Sequence, residues 1–220
     1  MNTAPARSPR VKAALVIVPI AALLGILAFT FTRPGSAPEA AAPESAPAIG
    51  RTIPETLPDF TLATLEGPPR ALSSFDHPSL IVNFWATWCA PCRREIPLLR
   101  QLRAERGDRG VEVVGVAVDF REDVVKYAAD IGLDYPLLIG EEDGLAAADA
   151  FGIEPVFPFT IFADAKRRIV AVKVGELHAD ESAYILDHIE RVNAGTLELA
   201  LAREQIRAEI RRLDGLRAKS

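Results

Sequence analysis

The chain has 220 residues, 49% of them hydrophobic and 25% charged, with a formal net charge of -5 at pH 7. That length holds one ordinary domain plus appendages, and the acidic balance excludes a general nucleic-acid binder, which needs a concentrated basic surface. Its two cysteines, with His77, His178 and His188 scattered, fall short of the four ligands of a structural zinc site, so no metal centre is expected.

Residues 1–12 carry Arg7, Arg10 and Lys12 and precede AALVIVPIAALLGILAFTF, residues 13–31, nineteen positions without a charge. A helix of that length crosses a hydrocarbon core of roughly 30 Å. Pro19 and Gly25 are tolerated better in a membrane span than in a soluble helix. Only Arg33 follows before Glu39, so the positive-inside rule keeps the N-terminus in the cytoplasm and exports the rest. The expectation is a single-pass anchor. A cleaved signal peptide is the competing reading: the run exceeds the usual h-region of about 7–15 residues, yet the alanine-rich stretch after Gly35 offers cleavage sites. Either way the folded part lies outside the cytoplasm.

Residues 32–56 are built largely from Pro and Ala and have too little apolar surface to offset the entropy of ordering them. In polyproline form, at about 3.1 Å per residue, such a linker reaches on the order of 75 Å. It is either a leash that lets a domain move between partners or a plain spacer.

Residues 57–193 have the texture of a packed domain. DFTLATLEGPPRALSSF (59–75) alternates around Gly67-Pro68-Pro69, predicting a hairpin or extended entry segment. SLIVNFW (79–85) and VEVVGVAVD (111–119) read as strands buried on both faces. Between them, residues 91–106 place Ile96, Leu98, Leu99 and Leu102 at helical spacing, with Pro97 as a kink. Residues 123–131 predict a helix, 136–139 a short apolar run, and 144–151 a further helical turn or two ended by Gly152. FTIFA (159–163) and RIVAVKVGEL (168–177) predict two strands joined as a hairpin. Residues 180–192 predict a closing helix with Asp180 as its N-cap. A βαβ start demands a parallel crossover and the hairpin adds antiparallel strands, so the class is α/β with a mixed sheet flanked by helices. The tail, residues 194–220, predicts a charged helix with Leu199, Ile206 and Leu213 every seven residues. That stripe either docks a partner or packs on its own domain.

The chemistry concentrates in NFWATWCAPCRREIP, residues 83–97. Cys89 falls where the buried strand ends and Cys92 in the first turn of the next helix. A helix N-terminus presents unsatisfied N–H groups and partial positive charge, which favours a thiolate below the free cysteine pKa of about 8.5. Pro91 suits the first turn, and Arg93 and Arg94 add positive charge. Cys89 is the expected nucleophile and Cys92 the resolving thiol. An inert staple is disfavoured because so short a loop constrains the unfolded chain little, whereas C-x-x-C beside a βαβ pattern reads as a redox pair.

VNFWATWCAPCRREIP resembles the thioredoxin superfamily, and specifically the membrane-anchored TlpA/ResA-like thiol-disulfide oxidoreductases of the bacterial envelope. The resemblance spans about residues 57–192. It implies a thioredoxin fold and no cofactor beyond a redox-active Cys89–Cys92 disulfide. EPVFPFTIFAD (154–164) looks like the segment bearing the family's cis-proline, which would make Pro158 cis and let Phe157 offer its backbone to an extended substrate. Pro155 is the competing position. Ordinary thioredoxins carry an Asp six residues before the first cysteine, where Asn83 stands here. The TlpA/ResA-like group has instead a Glu three residues after the second cysteine, and Glu95 occupies that place. The resemblance implies that Glu95, one turn from Cys92, accepts its proton. The alternative is a solvated surface glutamate. It also implies that Trp88 lies exposed beside the sulfur, against a partner, while Trp85 is internal.

The implied activity is reduction of client disulfides during cytochrome c maturation or cytochrome oxidase copper-centre assembly, with apocytochrome c or a copper-delivery protein as client. A membrane protein of DsbD/CcdA type would supply electrons at the periplasmic side of the inner membrane. Cytochrome c maturation relatives typically carry a Glu after the cis-proline, where this chain has Phe159. Two other functions stay open: a disulfide-introducing oxidase, and a chaperone whose thiols hold copper or a client without turnover. Thr87 and Cys89 lack the Thr-x-x-Cys spacing of a thiol peroxidase.

Overall fold

The computed structural model describes residues 52–154 and 156–219. The expected span at 13–31, its possible cleavage, the linker up to residue 51 and Pro155 lie outside the described residues. Among those described, no helix is long and apolar enough to cross a membrane.

The elements run β1 (Thr61–Thr64), β2 (Arg70–Ala71), β3 (Ser79–Trp85), α1 (Ala90–Arg106), β4 (Val111–Ala117), α2 (Arg121–Ile131), β5 (Leu137–Ile139), α3 (Glu142–Asp149), β6 (Phe159–Ala163), β7 (Ile169–Val174), α4 (Ala179–Asn193) and α5 (Leu199–Arg217). They build one mixed sheet in the order β2-β1-β5-β4-β3-β6-β7. The β3–β4 and β4–β5 pairs are parallel, joined by the crossovers through α1 and α2, and the other pairs are antiparallel. The expected first hairpin is present as β1 and β2.

Strands β3 and β4 are buried along their whole length because helices or loops cover both faces of the central sheet. Alternation of side chains across a strand divides them between two cores. Ile81, Trp85, Val111 and Val113 join Ile96, Leu99 and Leu102 of α1 on one face. Leu80, Val82 and Phe84 join Val114, Val116 and Phe151 on the other. The helical spacing in α1 aims its leucines at the first core, while Pro97 points outward and lies within the helix.

Three local expectations differ from the structure. The N-cap of α4 is His178, not Asp180, which sits inside the first turn. The Asp180 carboxylate accepts the Glu181 N–H at 2.9 Å, and Glu181 reaches back to accept the His178 N–H at 3.0 Å. Strand β7 stops at Val174 because Gly175 adopts a φ of 87°, a left-handed turn open to glycine, so the chain leaves the sheet before Leu177. At the other end, Glu55 and Thr56, the last residues of the expected linker, are tied to the sheet: the Glu55 carbonyl accepts the Ile169 N–H at 2.9 Å and Thr56 bridges to Arg168.

The tail helix α5 packs on α4 and β7. Of its seven-residue stripe, Ile206 and Leu213 are buried and Leu199 is half-buried, and Ile206 joins the α1-side core. The stripe faces this chain's own domain.

Candidate active site

β3 ends at Trp85, and after three intervening residues the backbone enters α1 with Cys89 as its N-cap and Pro91 in the first turn. The connecting loop is held at Thr87, whose N–H donates to the Asp119 carboxylate at 2.9 Å and whose hydroxyl donates to the same oxygen at 2.5 Å. Asp119 follows the end of β4, so the carboxyl ends of two parallel strands fix the approach to the cysteines. Cys89 and Cys92 form a disulfide with their Cα atoms 5.3 Å apart. The Cys92 N–H points at Cys89 Sγ, 3.3 Å away, one of the free amides of the first turn aimed where a thiolate would form. Cys89 keeps 5% exposure and Cys92 none, an asymmetry that lets only the first sulfur meet a macromolecular disulfide.

Trp88 is 69% exposed, whereas Trp85 is fully buried. The Trp88 ring meets Phe157 edge-on at 6.2 Å between centroids, and Phe157 stacks on Phe159 of β6. The Phe157–Pro158 peptide bond is cis. Trp88 and the half-buried Phe157 make an apolar rim, with the buried Phe159 beneath it.

Glu95 is buried, at 1% exposure, so it is not a solvated surface glutamate. Its Oε1 accepts from Asn83 Nδ2 at 2.6 Å and its Oε2 accepts the Leu177 N–H at 2.7 Å. Among the described residues no cation pairs with it. Burial pushes its carboxyl up to about 7, the nearby Glu176 and Glu181 charges adding to the rise, while the two hydrogen bonds oppose it. Its position, one helical turn beyond Cys92, and its titration near neutrality suit a group that takes and returns a proton.

The motif contains Asn83 but shows neither its bond to Glu95 nor the other groups that fix that carboxylate. Asn83 is oriented by a second bond from Nδ2 to Thr160 Oγ1, 3.0 Å away on β6, and the Leu177 amide comes from the loop before α4. Thr160 and Leu177 are both distant in sequence from the C-x-x-C, and a backbone amide leaves no residue-type signal at all. Tyr135, buried beside this pocket, has its hydroxyl pushed well above the ordinary range, by burial first and then by the Glu95 charge.

The AhpC/TSA family model matches residues 53–172. The thiol-disulfide oxidoreductase ResA of Geobacillus thermodenitrificans is 31% identical over 150 residues, covering 68% of this chain and 80% of the relative. ResA of Halalkalibacterium halodurans is 36% identical over 118 residues, 53% of this chain and 65% of that protein. Among solved structures, a secreted thiol-disulfide isomerase from Corynebacterium glutamicum superimposes with a TM-score of 0.53 at 32% identity, covering 57% of this chain and 80% of that one. With the mixed sheet, the disulfide at the strand-to-helix junction and these relatives together, the chain belongs to the AhpC/TSA family and is a thioredoxin-fold, ResA-like thiol-disulfide oxidoreductase whose redox-active pair is Cys89 and Cys92.

Proposed function

We propose that this protein reduces disulfides in client proteins on the outer side of a bacterial cytoplasmic membrane, tethered by residues 13–31 through the linker 32–56. The observation that carries the chemistry is the buried, cation-free Glu95 on the helix of Cys92, with a carboxyl titrating near 7. In the reduced protein the Cys89 thiolate attacks one sulfur of a client disulfide. A mixed disulfide forms and one client thiolate leaves. Cys92 then passes its proton to Glu95 and attacks Cys89 Sγ, which forms the intramolecular disulfide and expels the second client thiolate. Two electrons have moved from the protein to the client.

The exposed Trp88 and the backbone of Phe157 before Pro158 are the proposed seat for the client. The clients we assign are apocytochrome c or a copper-delivery protein of cytochrome oxidase assembly. The name ResA on its relatives and the envelope setting support that class. In an oxidising compartment the domain must be re-reduced across the membrane, and a DsbD/CcdA-type protein is the proposed donor.

The test is trapping with Cys92→Ala in the full chain. Mixed disulfides with clients should accumulate on Cys89 and be identified by mass spectrometry. Recovery of the same adducts from Cys89→Ala and not from Cys92→Ala would reverse the assigned roles. A reduction potential near thioredoxin's, about -270 mV, supports net reduction, and one near about -120 mV would make the protein an oxidant.

A further inference from the structure

Glu95 shares its pocket with a second buried carboxylate. Leu177 and His178 are consecutive, and their backbone amides diverge: the Leu177 N–H goes to Glu95 and the His178 N–H to Glu181. Glu181 is fully buried. Unlike Glu95 it has cations: Lys173 Nζ lies 2.7 Å from its Oε1 and Arg217 Nη1 lies 2.9 Å from the same oxygen. Lys173 is itself 5% exposed and also donates to Asp214 at 2.6 Å. Asp214 and Arg217 both belong to α5. Burial pulls the Lys173 ammonium down, but its hydrogen bonds to Asp214 and Glu181 outweigh that and hold it above its ordinary value.

The same lysine is in register with a residue on the other side of the Glu95 pocket. Lys173 on β7 is the cross-strand partner of Thr160 on β6, and the Thr160 hydroxyl anchors the Asn83 amide that binds Glu95. Glu181 is thus a buried neighbour whose charge bears on Glu95. The cations of this pocket, Lys173 and Arg217, pair with Glu181 and not with Glu95. All four residues of this cluster lie beyond the stretch 53–172 matched by the family model.

We propose that Glu181 and Lys173, clamped by Asp214 and Arg217, are positioning residues through which the C-terminal helix α5 sets the charge that Glu95 faces. The inference rests on Glu95 as the proton acceptor of Cys92 only for its effect on the thiols. Its electrostatic part stands on the buried cluster alone. The charged and titratable groups around Glu95 are Cys92 on its own helix, Tyr135 from the loop before β5, Glu176 in the loop before α4 and Glu181 on α4. Glu176 is tied to Arg94, so Glu181 is the group whose removal isolates the α5 contribution.

The experiment follows the Glu95 side-chain carbon by NMR titration of the full-length disulfide form, where no thiol titrates, and the alkylation rate of Cys89 against pH in the reduced form. Glu181→Gln removes a neighbouring negative charge. The Glu95 midpoint should fall by about half a pH unit or more, a threefold change in its ionised-to-protonated ratio at fixed pH. Asp214→Asn should move it the same way by less. Its side chain is half exposed, so it serves also if the Glu181 variant fails to fold. Arg212→Gln, which breaks only the exposed pair with Glu209 on α5, should leave the midpoint in place. Unchanged midpoints in folded Glu181→Gln and Asp214→Asn overturn the proposal, as does an Arg212→Gln shift equal to that of Asp214→Asn. A midpoint that moves while the Cys89 alkylation profile stays fixed upholds the link from α5 to Glu95 and refutes instead the role of Glu95 toward the thiols.

Discussion

Asn83 on β3 and Glu95 on α1 are joined by a 2.6 Å hydrogen bond, Nδ2 to Oε1, between two side chains that are both buried. The bond ties a fully buried inner strand to the helix that carries Cys92, with Cys89 at its N-cap. An amide at position 83 donates to the carboxylate and cannot itself ionise, so it holds Glu95 in place and leaves proton uptake to that one group.

The first consequence is a pH-dependent stability. The Glu95 carboxyl titrates at 4.5 in the absence of the fold and at about 7 in the folded protein. Between those values the native state binds more protons than the unfolded one. The stabilisation is therefore fully present below about pH 4.5 and is lost as pH rises through about 7. A rise of this size corresponds to about 3 kcal/mol. Urea unfolding of the oxidised protein from pH 4 to 8 should show wild type losing roughly that much relative to Glu95→Gln. Parallel pH curves for the two proteins would sink the idea.

Asn83→Asp places a second carboxylate at hydrogen-bond distance from Glu95. Like charges that close share a proton and titrate as a pair in two separated steps. At pH 8 the variant should be destabilised by about 3 kcal/mol, as for an uncompensated buried charge, and acidification to pH 5 should restore most of the loss. A variant as stable as wild type at pH 8 would mean that the pocket is open to water.

Trp88→Ala removes a ring that is 69% exposed, so stability should change by no more than about 0.5 kcal/mol. If the rim of Trp88 and Phe157 seats the client, mixed-disulfide formation with a protein substrate should slow several-fold. Reaction of Cys89 with a small disulfide reagent should be unaffected. Equal slowing with both reagents would place the effect on the thiol instead.

Ile206→Ala tests the tail helix. Ile206 is 1% exposed in the α1-side core, and emptying such a site costs about 2–5 kcal/mol. Chemical denaturation should register that loss in a single transition shared with the rest of the domain. A loss under about 0.5 kcal/mol would show α5 to be a detachable appendage.

The parts of this protein readable from sequence are those whose cause is local. SLIVNFW is a strand because seven consecutive residues are apolar or small enough to bury on both faces, and CAPC marks a helix start because Pro91 fits only there. The redox pair and the α/β class both follow from that strand-to-helix junction, and so does the proposal that Cys89 is the nucleophile. The expectation of an anchor likewise rests on a local property, the charge-free run at 13–31.

What tertiary structure decided is where distant groups meet. Glu95 in a charged stretch reads equally well as solvated or buried, and its burial depends on Leu177, 82 positions away, offering a backbone amide. The heptad stripe of α5 specifies an apolar face without naming its neighbour, and β7 and α4 turn out to supply it. Asp180 suits an N-cap by residue type, yet the helix begins so that the N-cap falls two residues earlier, at His178. Periodicity and caps are written within a few residues of themselves. The ionisation of a buried carboxylate depends on desolvation and on charges brought in by β7, α4 and α5, and only the folded chain assembles those.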